Sequence, residues 1–291
     1  MSGSLVPCWA VPHHVTAFFT PYYAGEPLLT GSRGAGIILT PLARVCYGAG
    51  SRPQEGPVAR VLDILSAREP LSIHEPLPAR RGYATSAAVT LAAALAVAAF
   101  RGGSLLAAAQ AAHRAEVECK TGLGDVLALS SPAGGVAVRI EPGAPGVGRV
   151  DYIPAPPTLA VVTASRGEEE TSSLLGRLSD REASEALNAL RRLERDPTFD
   201  RFVEEATNYS LRVGWLRGLL GDVAAEILSM EGVLGGYSKK RVAVFIVERD
   251  RAADVADLLS RYGYEVRLHE FWRGGLRLEW IYPEQAPPWG E

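Results

Sequence analysis

A glycine and two hydroxyl residues stand directly before an alanine-rich apolar segment in the first third of the chain. The stretch reads PARRGYATSAA from Pro78 to Ala88 and then continues without a charged residue to Phe100. Glycine permits close backbone approach, and the free N–H groups and positive dipole end of a helix N-terminus attract anions. The stretch therefore suits phosphate binding, although a helix with an ordinary cap after a glycine turn would have the same residues.

Two carboxylates that follow this stretch suit metal and proton chemistry. Glu116 stands late in a predicted helix, where the negative dipole end disfavours a carboxylate and a metal ion would favour it. A solvated carboxylate, or an ion pair with Arg114 or Lys120, is the alternative, and it is the preferred interpretation of Glu118. Asp125 follows a Gly-Leu-Gly turn and precedes an apolar run that is predicted to be a strand. It could accept a proton from a reacting hydroxyl, although a loop aspartate after glycine is often only a turn residue.

Two arginines are candidates for binding a carboxylate, because a guanidinium group holds a carboxylate in a bidentate fork. Arg33 lies between Ser32 and Gly34 and has no apolar neighbours in the sequence. Arg139 follows a short apolar run, where a surface role at the end of a strand is nearly as well supported. The residues alone do not choose between the two arginines.

Four other residues with reactive side chains are predicted to have no part in catalysis. Arg80 and Arg81 precede the glycine of the first stretch and could assist a phosphate, but the preferred interpretation is that they are solvated loop residues. His13 and His14 are adjacent, so they do not form the i, i+4 pair of a helical metal site, and no third ligand lies at a useful spacing. A structural or surface role is therefore predicted for both histidines.

The composition limits the class of protein. The net charge of −3, with acidic and basic residues interspersed, argues against nucleic acid as a partner. Cys8, Cys46 and Cys119 are odd in number and widely spaced, which argues against a disulfide framework and a zinc site and favours a reducing cytoplasm. Cys46 and Cys119 are expected to be buried apolar residues. The N-terminal residues lack the pattern of a secretory signal, and 27 Arg against 3 Lys fits a heat-adapted source or a GC-rich genome.

The elements that must position these residues follow from the hydrophobic pattern. The segment from Ala84 to Phe100 is too short and too rich in alanine to span a membrane, so a buried helix over 86–100 is predicted instead of an anchor. A second helix over 104–119 begins at Ser104, a favourable N-cap, and stops near Gly122. Short strands are predicted over 15–19, 37–39, 44–47 and 136–140.

The second half of the chain has its own pattern, and the turn-rich segment 141–148 is predicted to be a connection. Strands are predicted over 159–163, 241–248, 264–269 and 276–282, and helices over 171–195, 198–213, 216–230 and 251–262. This order predicts an α+β fold with helices against an antiparallel sheet. Two domains are expected, over residues 1–155 and 156–291.

The stretch from Pro78 to Ala88 resembles the central phosphate-binding motif of the GHMP kinase superfamily, Pro-x-x-x-Gly-Leu-Gly-Ser-Ser-Ala-Ala. The proline, the first glycine and the final Ser-Ala-Ala are in register, whereas Tyr83, Ala84 and Thr85 depart from the commonest residues. TGSRGAGI from Thr30, and AHRAE and TGLGDV around residues 112–126, resemble the archaeal pantoate kinases within that superfamily. The C-terminal glycine motif of the superfamily is matched only weakly, by residues 232–236.

The resemblance implies the GHMP kinase fold, with an N-terminal domain of the ribosomal-protein-S5 type and a C-terminal ferredoxin-like domain that enclose a nucleotide. It implies transfer of a phosphoryl group from ATP to pantoate, with Mg²⁺, in the synthesis of coenzyme A. The implied site consists of a nucleotide cradle of Gly82, Tyr83, Ala84, Thr85, Ser86, Ala87 and Ala88, the magnesium ligands Ser86 and Glu116, the base Asp125, and the substrate-binding residues Ser32, Arg33, Gly34 and Arg139.

Three alternatives remain open at this stage. Another small-molecule kinase of the superfamily, acting on homoserine, mevalonate or a sugar, would share most of these residues. A non-catalytic ligand-binding member is disfavoured by the joint presence of Ser86, Glu116 and Asp125. A nucleic-acid-binding protein is disfavoured by the acidic balance. We expect a small-molecule substrate and no membrane partner. We also expect a homodimer formed through exposed sheet edges, although the sequence shows no stripe of residues that would mark the interface.

Overall fold

Two antiparallel sheets and the helices packed on them make up residues 5–282, which are the residues that the computed structural model describes. Residues 1–4, part of the segment considered as a secretory signal, and residues 283–291, the end of the second predicted domain, lie outside the described residues. The strands are β1 (Val6–Tyr22), β2 (Gly31–Ser51), β3 (Leu71–His74), β4 (Val136–Glu141), β5 (Arg149–Ile153), β6 (Leu159–Ser165), β7 (Val233–Lys239), β8 (Val242–Glu248), β9 (Glu265–His269) and β10 (Arg277–Ile281). The helices are α1 (Gly56–Ile64), α2 (Thr85–Arg101), α3 (Leu105–Glu118), α4 (Asp125–Leu129), α5 (Thr171–Arg177), α6 (Asp180–Arg195), α7 (Phe199–Arg212), α8 (Trp215–Leu220), α9 (Val223–Leu228) and α10 (Ala252–Arg261).

The strand order defines the two sheets. The first has the order β10-β1-β2-β4-β5, with β3 paired to β2, and the second has the order β7-β8-β6-β9. The second sheet is built from a βαββαβ unit whose strands are β6, β7, β8 and β9. Its first and third strands, β6 and β8, lie at the centre of the sheet, which is the ferredoxin-like arrangement. The predicted α+β class is therefore confirmed.

The alanine-rich segment forms α2, which the first sheet and α3 cover almost completely. Thirteen of its residues, from Thr85 to Ala98, are buried. Alanine side chains let α3 and strands β1 and β2 approach the helix closely, so the predicted buried helix is confirmed. Among the described residues, no helix is both long and apolar enough to cross a lipid bilayer. The predicted cap of α3 is also confirmed, since the Ser104 side chain accepts a hydrogen bond from the Ala107 N–H.

The second sheet separates two apolar layers. Along β6, Val161 belongs to the layer shared with the first sheet, α6 and α7, whereas Ala160 and Val162 belong to the layer shared with α8, α9 and α10. Because successive side chains point to opposite faces of a strand and both faces are covered, β6 is buried along its whole length and has no solvent-exposed face. The second sheet therefore packs against the first, and the two sheets share one core.

Several elements differ from the predicted ones. The three short strands predicted in the first 50 residues belong to the long strands β1 and β2, whose pairing is interrupted by register shifts between Val11 and His13 and between Thr16 and Phe18. These irregularities disrupt the period-two pattern by which long strands are recognised. The elements α1, β3, β5 and β7 were not predicted. The apolar run after Asp125 is the short helix α4 and not a strand.

Two predicted helices are each divided. The pattern over 171–195 contains α5 and α6, because Ser179 and Glu182 form a capping box that starts a new helix. The pattern over 216–230 contains α8 and α9, separated at Gly221, which has a φ of +63°. These breaks lie within continuous helical periodicity, so the hydrophobic pattern alone does not reveal them.

The last strand departs from the predicted domain division. β10 pairs with β1 in the first sheet, with Val6 opposite Ile281 and Ala10 opposite Arg277. The strand predicted over 276–282 therefore does not join the sheet of the second half. The prediction assigned it there because strands close in sequence usually pair, which is only a tendency.

The cysteine prediction was wrong for one pair. Cys8 and Cys46 are directly opposite each other on β1 and β2 and form a disulfide, with the Cα atoms 4.0 Å apart. Sequence spacing does not show which strands become neighbours, so the pair could not be recognised. Cys119 is free and partly exposed. Intracellular disulfides are frequent in hyperthermophiles, so the bridge is compatible with both the predicted compartment and the arginine-rich composition.

Candidate active site

A cavity of about 530 Å³ lies where the N-terminus of α2, the end of α3 and the turn between β7 and β8 meet. Its wall includes Ser86, Glu116, Asp125 and Arg139 from the first half of the chain and Lys239 from the second half. Concave sites with a few convergent polar groups are where proteins bind small molecules. The residues predicted from separate stretches of sequence are therefore brought together around one space.

The start of α2 presents its backbone to this cavity. Ala84 has a φ of +54° and the helix begins without a side-chain cap. The Thr85 hydroxyl donates instead to the carbonyl oxygen of Leu77 at 3.1 Å, so it does not satisfy the first N–H groups. Gly82 has a φ of +119°, and a Cβ there would lie 2.5 Å from the carbonyl oxygen of Lys239. Glycine is therefore required at this point, and the free helix N-terminus remains available to an anion.

The predicted nucleotide cradle is only partly at the cavity surface. Residues 82–87 line the cavity, whereas Ala88 is fully buried in the core. The Tyr83 hydroxyl lies 2.9 Å from the Thr163 hydroxyl on β6, so its side chain points into the second sheet. Tyr83 consequently anchors the loop, and only its backbone faces the cavity.

Glu116 combines burial with an unsatisfied oxygen. It is 2 % exposed, and its Oε1 accepts hydrogen bonds from Ser86 at 2.6 Å and from Thr90 at 3.2 Å. Its Oε2 is buried without a hydrogen-bond partner among the described residues. Burial raises the pKa of Glu116 to about 7, although the hydroxyl donors lower it. A buried oxygen without a partner is unfavourable, and a cation at this point would stabilise the carboxylate.

The donor set at this point fits a magnesium ion. Ser86 and Glu116 offer hard oxygen atoms, and the described residues contain no group of three or more His, Cys, Asp or Glu side chains that could hold a metal. Mg²⁺ is usually held by one or two carboxylates and keeps several waters, whereas a zinc site needs more protein ligands. The unpaired Oε2 of Glu116 is the observation that supports a cation here.

Asp125 is the first residue of α4 and is held by a buried histidine. The Nδ1 of His14 lies 2.8 Å from Oδ1 of Asp125, and the Nε2 of His14 lies 3.4 Å from a terminal nitrogen of Arg139. Since Arg139 can only donate, the neutral histidine donates from Nδ1 and accepts at Nε2. Burial disfavours the charged form of Asp125, but the hydrogen bond from His14 and the charges of Arg139 and Lys239 outweigh it and lower the pKa. Asp125 is therefore an ionised carboxylate with a fixed orientation.

Gly122 brings the two carboxylates to the same place. A Cβ at Gly122 would lie 2.8 Å from Oε2 of Glu116 and 3.7 Å from Oδ2 of Asp125. The Gly-Leu-Gly turn thus lets the backbone pass between the end of α3 and the start of α4. Both carboxylates border the same part of the cavity as a consequence.

The predicted substrate-binding residues divide into two groups. Arg139 is 1 % exposed, lines the cavity and has a buried Nε without a partner among the described residues. Ser32 lines the cavity beside it, since a Cβ at Gly124 would meet both the Ser32 hydroxyl and the Arg139 side chain. Arg33 instead pairs with Glu194 of α6 at 2.9 Å and borders a different groove. Gly34 does not line the cavity; a Cβ there would collide with the carbonyl oxygen of Phe18.

The structure also places the residues predicted to lie outside the catalytic machinery. Arg80 borders the cavity but is exposed and pairs with Glu170 at 3.0 Å, whereas Arg81 does not line the cavity and pairs with Glu265 on β9. His13 is fully buried and its Nδ1 lies 2.7 Å from the carbonyl oxygen of Pro41, as expected for a structural histidine. The glycine-containing stretch 232–236 forms the start of β7, and none of its residues lines the cavity.

Sequence reasoning missed four residues of the site. His14 was judged structural, because a single buried histidine shows no spacing to a partner 111 residues away. Lys239 is the last residue of β7, Lys240 lies in the turn that follows, and Thr171 begins α5. Lys240 donates to the Thr171 hydroxyl at 2.6 Å, which in turn donates to the carbonyl oxygen of Thr121 at 2.7 Å. The adjacent lysines were a usable signal, since they are two of the three lysines in the chain.

The site has the parts of a small-molecule kinase. These are the uncapped N-terminus of α2, the Glu116 carboxylate with an unpaired oxygen, and the oriented Asp125 carboxylate near the buried Arg139. Comparison with known proteins agrees. Residues 57–131 match the family model described as the GHMP kinases N-terminal domain. The chain is 32% identical to the pantoate kinase of Thermococcus kodakarensis over 86% of this chain and 90% of that protein. A pantoate kinase of Methanospirillum hungatei is 32% identical over 46% of this chain and 53% of its own.

Solved structures show the same relationship. A phosphotransferase related to the coenzyme A biosynthesis pathway superimposes with a TM-score of 0.78 and 27% identity, over 94% of this chain and 98% of the other. The homoserine kinase of Cytophaga hutchinsonii shares the fold, with a TM-score of 0.64, 14% identity, and coverage of 96% and 98%. The chain belongs to the pantoate kinase family, a branch of the GHMP kinases. It is a phosphotransferase with an alcohol acceptor.

Proposed function

We propose that this protein transfers the γ-phosphoryl group of ATP to the C4 hydroxyl of pantoate and so supplies 4-phosphopantoate for coenzyme A synthesis. The observation that carries the proposal is that one cavity holds an ionised Asp125 and a buried Arg139 beside the uncapped N-terminus of α2. The helix N-terminus suits a polyphosphate, the carboxylate suits a hydroxyl, and the guanidinium suits the carboxylate of a small acid. The resemblance to pantoate kinases supports the same substrates.

The donor end of the cavity neutralises phosphate charge. Backbone N–H groups of residues 84–87 would bind phosphate oxygens at the positive end of α2. Lys240, fixed by its hydrogen bond to Thr171, adds a cation on the opposite wall. Ser86 and Glu116 would hold Mg²⁺, which when bound neutralises negative charge on the phosphates. Positioning and charge neutralisation account for most of the catalysis of phosphoryl transfer.

At the acceptor end, Asp125 orients the hydroxyl group. Its carboxylate accepts the hydroxyl hydrogen bond and takes the proton as the new oxygen–phosphorus bond forms and the bond between the γ-phosphorus and the ADP oxygen breaks. Because the pKa of Asp125 is lowered, it is a weak base towards a free alcohol, so proton transfer comes late, when the oxygen has become acidic. His14 keeps the carboxylate in one orientation throughout.

Arg139 is the residue that we assign to the pantoate carboxylate. Its Nε is buried and has no partner among the described residues, and Ser32 lies beside it in the cavity wall. Arg33 is not assigned this role, since it pairs with Glu194 and does not line the cavity. A bidentate carboxylate would satisfy the unpaired donor of Arg139 without disturbing its contact to His14.

A direct assay tests the proposal. The protein is incubated with Mg-ATP and, separately, D-pantoate, homoserine, mevalonate or galactose, and ADP release is followed together with product mass. We expect ADP release that depends on pantoate and a product with one added phosphoryl group, and release at least about 100-fold slower with the Asp125→Asn variant. Equal or faster turnover of another acceptor, or no turnover of pantoate, would show that the substrate assignment is wrong.

A further inference from the structure

We infer that Lys239 is a second cation for the carboxylate of the acceptor, that it acts opposite Arg139, and that the ring of Phe19 holds its ammonium group in place. This inference rests on the proposed function, because it concerns the acceptor end of the same cavity. It assigns a role to a residue of the second sheet, whereas Asp125, Arg139 and Ser32 all come from the first half of the chain.

The backbone of Lys239 is fixed beside the phosphate loop. Lys239 is the last residue of β7. Its carbonyl oxygen packs against Gly82, where an added Cβ would lie only 2.5 Å from it. Two residues on, the Arg241 N–H donates to the carbonyl oxygen of Arg81 at 3.1 Å. The turn between β7 and β8 is therefore pinned to the loop that precedes α2, and the lysine side chain starts from a defined point on the cavity wall.

The ammonium group of Lys239 lies on an aromatic face and not on a carboxylate. Its Nζ is 3.4 Å from the centroid of the Phe19 ring, and both residues line the cavity. A cation over an aromatic face is attracted by the ring quadrupole, which holds the group without neutralising it. Within the described part of the chain, no carboxylate lies within ion-pair distance of this nitrogen. The charge of Lys239 is thus oriented but has no counter-ion in contact.

The adjacent lysine shows a different arrangement. Lys240 donates to Thr171 at 2.6 Å and so faces the part of the cavity bordered by α5. Lys239 instead faces Phe19, which comes from β1 in the first sheet. Two neighbouring lysines therefore serve opposite ends of the cavity, and the one at the acceptor end has the unpaired ammonium group.

The sheet register relates Lys239 to Arg139. Phe19 and Arg139 are both cross-strand partners of Gly34, on β1 and β4 respectively. Their backbones therefore lie two strand spacings apart, about 10 Å. A cation above Phe19 and the guanidinium of Arg139 can flank one small anion between them. Asp125, which borders the same space, would then receive the hydroxyl at the other end of a short hydroxy acid.

Burial makes an incoming anion favourable. Burial lowers the pKa of Lys239 well below its usual range; the charge of Asp125 offsets this only in part, and the charges of Lys240 and Arg139 lower the pKa further. Two cations that share a poorly solvated cavity repel each other until an anion lies between them. The carboxylate of the acceptor supplies that charge, and an acceptor without a carboxylate does not.

The test compares two acceptors and matched variants. Lys239→Met, Lys239→Arg and Arg241→Met are assayed with pantoate and with its primary amide, which keeps the hydroxyl groups and lacks the charge. We expect Lys239→Met to raise the KM for pantoate about tenfold or more, because the variant loses one charged hydrogen bond to the carboxylate. The KM for ATP should not change. Turnover of the amide should change little, and Lys239→Arg should recover part of the affinity for pantoate. Arg241→Met removes a charge from the same turn outside this cavity and should behave as wild type.

Each contrary result has its own meaning. A fall in kcat that is equal for pantoate and the amide would overturn the inference, because the lysine would then act on the transferred phosphoryl group. A rise in the KM for ATP alone would overturn it in favour of a donor-site role. If wild-type protein does not phosphorylate pantoate, the proposed function itself fails. Should Lys239→Met lower the melting temperature, Lys239→Gln is compared in the same way, and equal KM values for pantoate in Lys239→Gln and wild type would reject the role.

Discussion

His14 donates a hydrogen bond to Asp125 across 111 residues of sequence, from Nδ1 to Oδ1 at 2.8 Å. The histidine is fully buried, whereas the carboxylate remains partly open to the cavity. One oxygen of Asp125 is therefore committed to the protein, and the carboxylate still borders the cavity in which we propose that the acceptor binds. The pair fixes the direction from which a hydroxyl group can approach.

The His14 side chain is expected to act through Asp125. Replacing His14 with Ala should lower kcat about tenfold, because the carboxylate loses its fixed orientation. His14→Asn, which places an amide donor near the position of Nδ1, should recover most of the loss. The KM for ATP serves as the control and should not change in either variant. Equal activity of His14→Ala and wild type would show that the histidine only fills space.

The carboxylate of Asp125 is expected to be essential for turnover. Asp125→Asn keeps the shape of the side chain but cannot take a proton, so kcat should fall about 100-fold or more. The measurement is steady-state ADP release at saturating pantoate and ATP. Retention of more than about a tenth of wild-type kcat would rule out the role as base, since acid–base catalysis contributes at least about 100-fold.

Glu116→Gln separates metal binding from stability. The variant should lose activity at all Mg²⁺ concentrations, while its melting temperature stays equal or rises, because a buried carboxylate with an unpaired oxygen has been removed. Glu118→Gln is the matched control two residues away. Glu118 pairs with Arg60 and Arg114 outside the cavity, so this variant should keep wild-type activity. Substantial turnover by Glu116→Gln would remove the metal role.

Gly82 is expected to be irreplaceable for reasons of space as well as backbone conformation. Gly82→Val would push on the carbonyl oxygen of Lys239 and distort the phosphate loop, so the KM for ATP should rise about tenfold or more. Gly102→Val is a control with the same kind of strain, since Gly102 has a φ of +65° and nothing within 4 Å of a Cβ. It should lower stability and leave the KM for ATP unchanged. An unchanged KM in Gly82→Val would contradict the cradle.

Buried histidines should make the fold sensitive to acid. Burial lowers the pKa of His13 and of His269 to about 4, against about 6.5 in an unfolded chain. The unfolded state therefore binds more protons between these values, so the stabilisation is complete above pH 6.5 and is lost as the pH falls through 4. Each histidine should contribute about 3 kcal/mol to this loss. Urea unfolding at pH 7 and pH 4.5 measures the free energy of unfolding at each pH. The difference between these two free energies should be smaller for His269→Gln than for wild type.

Three residues that line the cavity could be picked out from the sequence because they lie in local motifs. Ser86, Glu116 and Asp125 lie in short motifs whose spacing is set by local structure, a loop before a helix and a turn between two helices. The buried helix α2 was predictable because its alanine content excludes a membrane span and its length exceeds that of a strand. The family resemblance and the physical argument pointed to the same residues.

The residues at the acceptor end of the cavity are brought together by contacts between distant parts of the chain, which sequence spacing does not show. Arg139 on β4 is the cross-strand partner of Gly34, the residue after Arg33 on β2, but Arg33 points to α6 and Arg139 points into the cavity. Which of the two faces the site depends on strand register around the irregularity near Phe18. Lys239 reaches the site from a different sheet, so no local motif includes it. The expected homodimer stays a prediction.

The pairing of β10 with β1 has a consequence for the order in which the chain can fold. The first sheet begins with the N-terminal strand and is completed only by the residues from Arg277 to Ile281. During synthesis, the backbone groups of Val6 to Ala10 on that side of β1 have no strand partner until residues 277–281 have left the ribosome. The first half of the chain therefore cannot reach its final structure before the second half is made, and a fragment ending near residue 155 would carry an open sheet edge prone to association.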